Sequence, residues 1–343
     1  MSVKEFHYTI CAVGNASFIS ANRDGFLHKA FGELDVTPVL LQSLPKDKWL
    51  AHFDHNDPAL FREGGNVPPI WAKSGGAEVV LIALIPHTHV QRSYVLARTD
   101  SPVDSVDELR GKRLALPTRA EYPAVDFHKS DAEHIFNIAL AARGLTPAEV
   151  EFVEFPASEA YIAYAADKSS NFGKIEVEAL DAGKADAIVG SGVRAQKLLA
   201  SGKYKVLYEL GVQNDLIAPI SGSYPHTLTV SRRLAEDAPE IVVTFIEQLF
   251  LAAEWAKTNL PGVLELFSKQ LHGTTGEVQA AFPRGFHKHL APEFSKEGLL
   301  ALEAQKRFLY DHGYIEKDFS IEKWADDSFL KTALANVKQG KDA

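Results

Sequence analysis

This chain carries one thiol, Cys11, and it lies where a thiol could be put to chemical use. It ends the apolar stretch Phe6-His7-Tyr8-Thr9-Ile10 and is followed by Ala12-Val13-Gly14-Asn15. Residues 5–12 read as a strand, rich in aromatic and β-branched types and closed by a Gly-Asn breaker. Asn15 can cap a helix over Ala16 to Asn22. The thiol is then expected at the carboxyl end of a first strand, facing the N-terminus of the next helix. Open α/β sheets bind ligands there, and a helix dipole there lowers a thiol pKa. A lone free cysteine is more often a small buried hydrophobe, so position alone does not decide its role. The pairs His52/His55, His87/His89 and His287/His289 raise the question of a metal. With no cysteine ligands and no HExxH helix they read as structural or surface histidines, so neither metal nor cofactor is expected. Gly14 is no phosphate loop, because neither GxGxxG nor GxxxxGK[ST] follows a strand.

Alternating strands and helices must position these groups. Asp35–Leu41 and Glu78–Leu84 are short apolar runs of strand length, the second suited to burial on both faces. A break is expected around Tyr94 to Pro102. Ser105-Val-Asp-Glu108 has capping-box spacing, and Leu109 to Pro117 turns into another strand. Ser130-Asp-Ala-Glu133 opens a helix with Ile135, Ile138, Ala139 and Ala142 near one face, closed by Gly144. Glu151–Phe155 reads as a strand, Ile175–Ala182 as a helix, Ala185–Val189 and Thr227–Val230 as strands. Pro239 opens a long helix to about Asn259, and the rest to Lys338 is mostly helical.

Composition narrows the class. A chain of 343 residues suggests about two domains. A net charge of −9 argues against nucleic acid and against a polybasic membrane surface. One cysteine excludes an internal disulfide framework. No run of about 18 apolar residues occurs, so no membrane span is expected. The start enters a strand without an apolar leader, and a cytoplasmic location is expected.

Strand-helix alternation implies an α/β fold with mostly parallel sheets flanked by helices. The phrase Arg-Thr-Asp-Ser-Pro-Val-Asp-Ser-Val-Asp-Glu-Leu-Arg-Gly-Lys-Arg-Leu-Ala (98–115) resembles the lobe-crossing segment of type II periplasmic-binding-protein folds. Ala182-Gly-Lys-Ala-Asp-Ala-Ile-Val189 resembles the helix, glycine and Asp-Ala strand that end the second lobe there. The resemblance implies a two-lobed fold with a helical C-terminus and a small ligand bound between lobes. Residues 1–96 and 216–343 would form the first lobe and 97–215 an inserted second lobe.

A narrower resemblance runs through Tyr8 to Asn15, Gly25-Phe26-Leu27, Glu33 to Val36, His52-Phe53, Asp57-Pro58-Ala59, Arg62-Glu-Gly-Gly65 and Pro68-Pro69. Together these resemble the 2′-hydroxybiphenyl-2-sulfinate desulfinases, and weaker similarity continues to Phe308-Leu309, Ile321 to Trp324 and Phe329-Leu330. The family's nucleophilic cysteine, its histidine and its sulfinate-binding arginine fall on Cys11, His52 and Arg62. The resemblance therefore implies a cofactor-free hydrolase that cleaves a carbon–sulfur bond and releases sulfite. Gly65, Phe53 and the stretch Gly190, Ser191 and Gly192 are the expected substrate-binding residues.

The residue types suit that chemistry. A planar guanidinium can hold two sulfinate oxygens, and Gly65 lets a backbone N–H approach them. A thiol beside His52 and a cationic Arg62 is expected to be partly thiolate. His52 would shuttle the proton that ends on carbon. The thiol could attack sulfur or protonate the ipso carbon, and both routes stay open. This chain departs from the family in two places. Ala12-Val13-Gly14 stands where the family carries prolines, and Val189 to Arg194 has no ring to stack on a biphenyl. The expected substrate is accordingly another aryl sulfinate or a smaller aliphatic one. A solute-binding protein for a sulfonate-type anion, feeding an ABC transporter, is the alternative. A synthase related to thiamin-precursor enzymes is disfavoured, because those carry a cysteine-rich motif. A small sulfinate is the expected partner, and the sequence leaves the oligomeric state open.

Overall fold

The computed structural model describes residues 3–11, 14–23, 25–85, 91–119, 123–157, 173–210 and 224–341. The chain divides into two compact units. One comprises 1–90, 224–275 and 284–343, the other 91–223 and 276–283.

The first unit is built on a five-stranded sheet in the order β2-β1-β3-β10-β4. Its strands are β1 (Glu5–Tyr8), β2 (Thr37–Leu40), β3 (Leu60–Gly64), β4 (Val79–Ile85) and β10 (His226–Ser231). β1 pairs in parallel with β2 and β3. β10 re-enters the sheet between β3 and β4 and runs antiparallel to both. Every side chain of β3, β4 and β10 is buried, as strands covered on both faces require. Aromatic rings fill one face of this sheet. Phe6 meets Phe31 and Phe61 edge-on at 4.7 and 5.0 Å, and Phe61 stacks on Phe245 at 4.3 Å. Phe245 comes from the long helix Pro239–Thr258, which starts with proline at its first position and ends at Asn259 as its signals indicate. The closing helix Ser328–Lys341 meets it through Asn336, whose amide donates to Glu247 at 2.6 Å.

The second unit holds β5 (Ser93–Arg98), β6 (Arg113–Thr118), β7 (Glu151–Pro156), β8 (Ile188–Ser191) and β9 (Tyr204–Glu209). β5 lies between β8 and β9, antiparallel to both, and β6 pairs in parallel with β7. Asp186, in the segment leading into β8, explains the Asp-Ala signal. Its carboxylate accepts from the Arg113 backbone N–H at 2.8 Å and from the Arg113 guanidinium at 3.0 and 3.1 Å, which ties the start of β6 to the segment before β8.

The α/β class stands, and four local expectations change. The strand over 5–12 ends at Tyr8, opposite the end of β2 at Leu40. Thr9 makes one more ladder bond, to the Phe61 carbonyl at 3.0 Å, before the chain leaves the sheet. The break placed at Tyr94 is the strand β5, because pairing with two sequence-distant strands outweighs the weak local signal. Ser105 caps nothing with its side chain; Glu108 accepts instead from the Asp104 N–H, and Val106–Leu109 forms a 3-10 turn. The helix assigned to begin at Ser130 spans Phe127–Ala141, since Asp126 takes the Lys129 N–H at 3.1 Å. Among the described residues no helix is long and apolar enough to cross a membrane.

Candidate active site

Strand alternation on β3 separates two kinds of work. Phe61 joins the aromatic core, while Arg62 and Gly64 share the opposite face. Arg62 is 1% exposed and is held by main-chain carbonyls. Its Nε donates to the His52 carbonyl at 3.1 Å and Nη1 to the Gly65 carbonyl at 2.5 Å. Nη2 lies 3.5 Å from His52 Nε2, a contact that makes Nε2 the acceptor and leaves the ring proton on Nδ1. Three of the five guanidinium N–H groups are thus engaged among the described residues, and one on each Nη remains for an oxyanion.

Cys11 reaches the same place from the loop after β1. A Cβ placed on Gly64 would lie 3.1 Å from Cys11 Cβ and 3.2 Å from Arg62 Nη2, with φ at +157°. Gly64 is therefore the residue whose missing side chain lets the cysteine and the guanidinium approach each other. Gly65 contributes its carbonyl to the guanidinium. Thr9 locks the approach from the other strand, since its hydroxyl donates to the Glu63 carbonyl and accepts the Glu63 N–H, at 3.3 and 3.2 Å. Gln270, at the end of the helix Leu260–Gln270, bonds both the Cys11 carbonyl and the Gly14 N–H.

The electrostatics around Arg62 are those of a crowded, poorly hydrated cation. Burial, offset by attraction to Cys11 and Glu63, brings its pKa down to about 10, so it is charged at neutral pH. His52 lies on the short helix Ala51–Asp54, edge-on to Phe53 at 4.9 Å. Burial first, then Arg62 and His55, push its pKa well below the usual imidazole range. His55, which shares a 3.0 Å contact with the Thr229 hydroxyl, and His226 are each pushed down to about 3 by burial and then by Arg62. His52 is therefore neutral at physiological pH, which departs from the proton shuttle expected of it. Across the strand, Glu63 is pushed up to about 8, chiefly by burial. Its oxygens make no hydrogen bond within 3.5 Å among the described residues, although the nearby Asn15 amide and Arg62 moderate the shift.

These opposed shifts predict how folding stability responds to pH. Between about pH 4.5 and 6.5 the unfolded chain binds protons at His52, His55, His226 and the likewise buried His128 that the folded one excludes, so stability rises with pH. Glu63 works the other way: its folded pKa lies above its unfolded value of 4.5, and its contribution falls as pH rises toward about 8. Denaturant midpoints should accordingly peak near pH 6.5 and decline gently above it. In Glu63→Gln that decline should disappear, and its persistence would show that other groups carry it.

The other expected site residues fall in several places. Phe53 is buried at 6% exposure beside His52. Gly190, Ser191 and Gly192 belong to the second unit, at the end of β8 and the start of the helix Gly192–Ala200. Gly190 is buried, and a Cβ there would meet the Leu96 side chain at 2.9 Å, so this glycine serves close packing; Ser191 is exposed. The His52/His55 pair faces a guanidinium, which disfavours a metal cation between them. Among the described residues no group of three or more His, Cys, Asp or Glu is arranged to hold one. His87, His89, Ala12 and Val13 lie outside the described residues.

No protein-family model matches the chain. It is 26% identical to the 2′-hydroxybiphenyl-2-sulfinate desulfinase of Rhodococcus erythropolis over 355 aligned positions, covering 95% of this chain and 93% of the relative. A cysteine-to-serine variant of the desulfurisation enzyme DszB, solved with biphenyl-2-sulfinic acid, superposes with a TM-score of 0.78 at 21% identity, covering 97% of this chain and all of that one. The periplasmic sulfonate-binding protein SsuA of a sulfonate ABC transporter from Methylobacillus flagellatus superposes at 0.73 with 14% identity, covering 98% and 95%. Over nearly its whole length, then, this chain is similar to the 2′-hydroxybiphenyl-2-sulfinate desulfinases, on a periplasmic-binding-protein-like fold.

Proposed function

We propose that the protein is a cysteine-dependent desulfinase that hydrolyses the carbon–sulfur bond of an organic sulfinate and releases sulfite. The observation that carries this reading is the convergence of Cys11 and Arg62 on Gly64, with His52 bracing the guanidinium through its carbonyl and ring. The two remaining guanidinium N–H groups suit two oxygens of one sulfinate. The attraction that helps keep Arg62 charged acts equally on Cys11 and favours its thiolate.

In the net reaction the C–S electron pair goes to carbon, a proton joins it, and sulfur takes up water to leave as sulfite. Cys11 can serve in two balanced ways. As a thiolate it attacks sulfur, expels the carbon fragment to be protonated, and forms a thiosulfonate-like adduct. Water then cleaves that adduct, restoring the thiol. As a thiol it protonates the ipso carbon directly, sulfur dioxide departs, and hydration of the dioxide returns a proton to the thiolate. Neutral His52 supplies no imidazolium in either route; it holds Arg62. The reading includes a cytoplasmic location, where a thiol stays reduced.

The substrate we propose is smaller than a hydroxybiphenyl sulfinate. The stretch that the resemblance assigns to the substrate, Gly190-Ser191-Gly192, carries no aromatic ring, and aromatic stacking is the contact a biphenyl would most need. The likeness to sulfonate-binding proteins favours one other reading, a receptor that binds an organosulfur anion and returns it unchanged. Calorimetry and sulfite assay on the same samples separate the two. A desulfinase should release sulfite from at least one of a panel of aryl and alkyl sulfinates, with 2′-hydroxybiphenyl-2-sulfinate among the slower. Tight binding of sulfonates with no sulfite from any sulfinate would establish the receptor. Fast turnover of the biphenyl compound would overturn the size preference.

A further inference from the structure

Both ends of one buried side-chain amide are engaged by the loop that carries the thiol. Gln270 Nε2 donates to the Cys11 carbonyl at 2.8 Å, and the Gly14 N–H donates to Gln270 Oε1 at 3.0 Å. Both partners precede the helix Ala16–Asn22, so the amide forms a staple that ties the Cys11 carbonyl to the Gly14 N–H. Donor and acceptor are fixed in one plane. The staple is satisfied only when the Cys11 carbonyl and the Gly14 N–H keep one mutual geometry.

The position of Gln270 on its own helix is also telling. Val263, Leu264 and Phe267 form the buried stripe of Leu260–Gln270, and Gln270 continues it at 9% exposure. At that spacing an apolar residue would pack well, and a polar one gains only through hydrogen bonds it can make there. Here those bonds go to Cys11 and Gly14. On β3, a Cβ placed on Gly64 would lie 3.1 Å from the Cys11 Cβ and 3.2 Å from Arg62 Nη2, so the cysteine and the guanidinium both border this glycine.

We infer that Gln270 is a positioning residue for Cys11, holding the cysteine backbone so that the thiol stays beside Arg62. The effect on turnover rests on the desulfinase reading; the effect on the thiol does not. With the staple cut, the thiol should drift from the guanidinium and its apparent pKa should rise.

Cys11 is the only cysteine in the chain, so alkylation by iodoacetamide reports on it directly. The rate is measured against pH for the wild type, Gln270→Leu, Gln270→Glu and Val263→Ala, with melting temperatures alongside. Gln270→Leu should move the profile to higher pH and slow alkylation at neutral pH about tenfold. Gln270→Glu keeps an acceptor for Gly14 but sets a carboxylate against the Cys11 carbonyl and beside the thiolate, so its profile should shift further. Val263→Ala, which opens a cavity under the same helix, should lower the melting temperature and leave the profile in place. On a sulfinate that the wild type turns over, Gln270→Leu should lower kcat and leave KM within about twofold. A wild-type profile in both Gln270 variants overturns the inference, as does an equal shift in Val263→Ala. Should Gln270→Leu not fold, Gln270→Glu decides alone. If the wild type releases no sulfite, the desulfinase reading falls and the alkylation profiles still decide the role of Gln270.

Discussion

Replacing Cys11 with serine should abolish sulfite release, by on the order of a thousandfold or more, while leaving the fold and sulfinate binding intact. The two side chains differ by one atom, so the loop held by Gln270 and the close approach at Gly64 need not change. The chemistry changes. A serine hydroxyl is far less acidic than a thiol, and one guanidinium neighbour does not make up that gap. Neutral His52 will not rescue it, because its Nε2 already faces Arg62 and its pKa lies well below the usual range. Both balanced routes fail together, since serine is neither a ready nucleophile nor a useful proton donor to carbon. The measurement is sulfite released per mole of protein, with calorimetry of the same sulfinate on both forms. Near-normal turnover by Cys11→Ser would sink the mechanism. Unchanged tight binding with no turnover in either form would point to the receptor.

How much of this was legible beforehand follows from the range of each interaction. The helix cap at Asn15, the buried strand at 79–85 and the proline-led helix at 239 are specified by a few adjacent residues, and each formed as its signals indicate. The strand at 93–98 was missed because its pairing partners are residues 188–191 and 204–209, which no local pattern announces. The cysteine, the arginine and the diglycine could be picked out in order along the chain. Which glycine permits the contact could not, because only the sheet register shows that Gly64, and not Gly65, shares a face with Arg62. Gln270 lies 259 residues from the carbonyl it holds, and nothing near it in sequence marks the partnership. The neutrality of His52 was missed for a related reason. A histidine's charge depends on burial and on the guanidinium beside it, and both are products of the assembled fold.

Arg62→Lys should behave as a severe change although it preserves formal charge. A lysine cannot donate to the His52 and Gly65 carbonyls through a fixed fork and still offer two parallel N–H groups to a sulfinate. Two buried carbonyls would lose their donor, which costs stability as well as geometry. The charge itself would also weaken. The surroundings that bring the arginine from 12.5 down to about 10 would act on an amine that starts about two units lower. A lysine here would hence begin to lose its proton within reach of neutral pH, and the thiolate would lose the cation that favours it. The expected loss of transition-state stabilisation is about 2–4 kcal/mol, or roughly 30- to 900-fold in kcat/KM. It should deepen as pH is raised from about 7 to 9, where the wild-type guanidinium is still largely protonated. Iodoacetamide labelling of Cys11 should slow in parallel, because the same cation serves both the thiolate and the substrate. Turnover of Arg62→Lys within about threefold of wild type, with no added pH dependence, would mean that Arg62 only fills its buried place in β3 and that the oxyanion is held elsewhere.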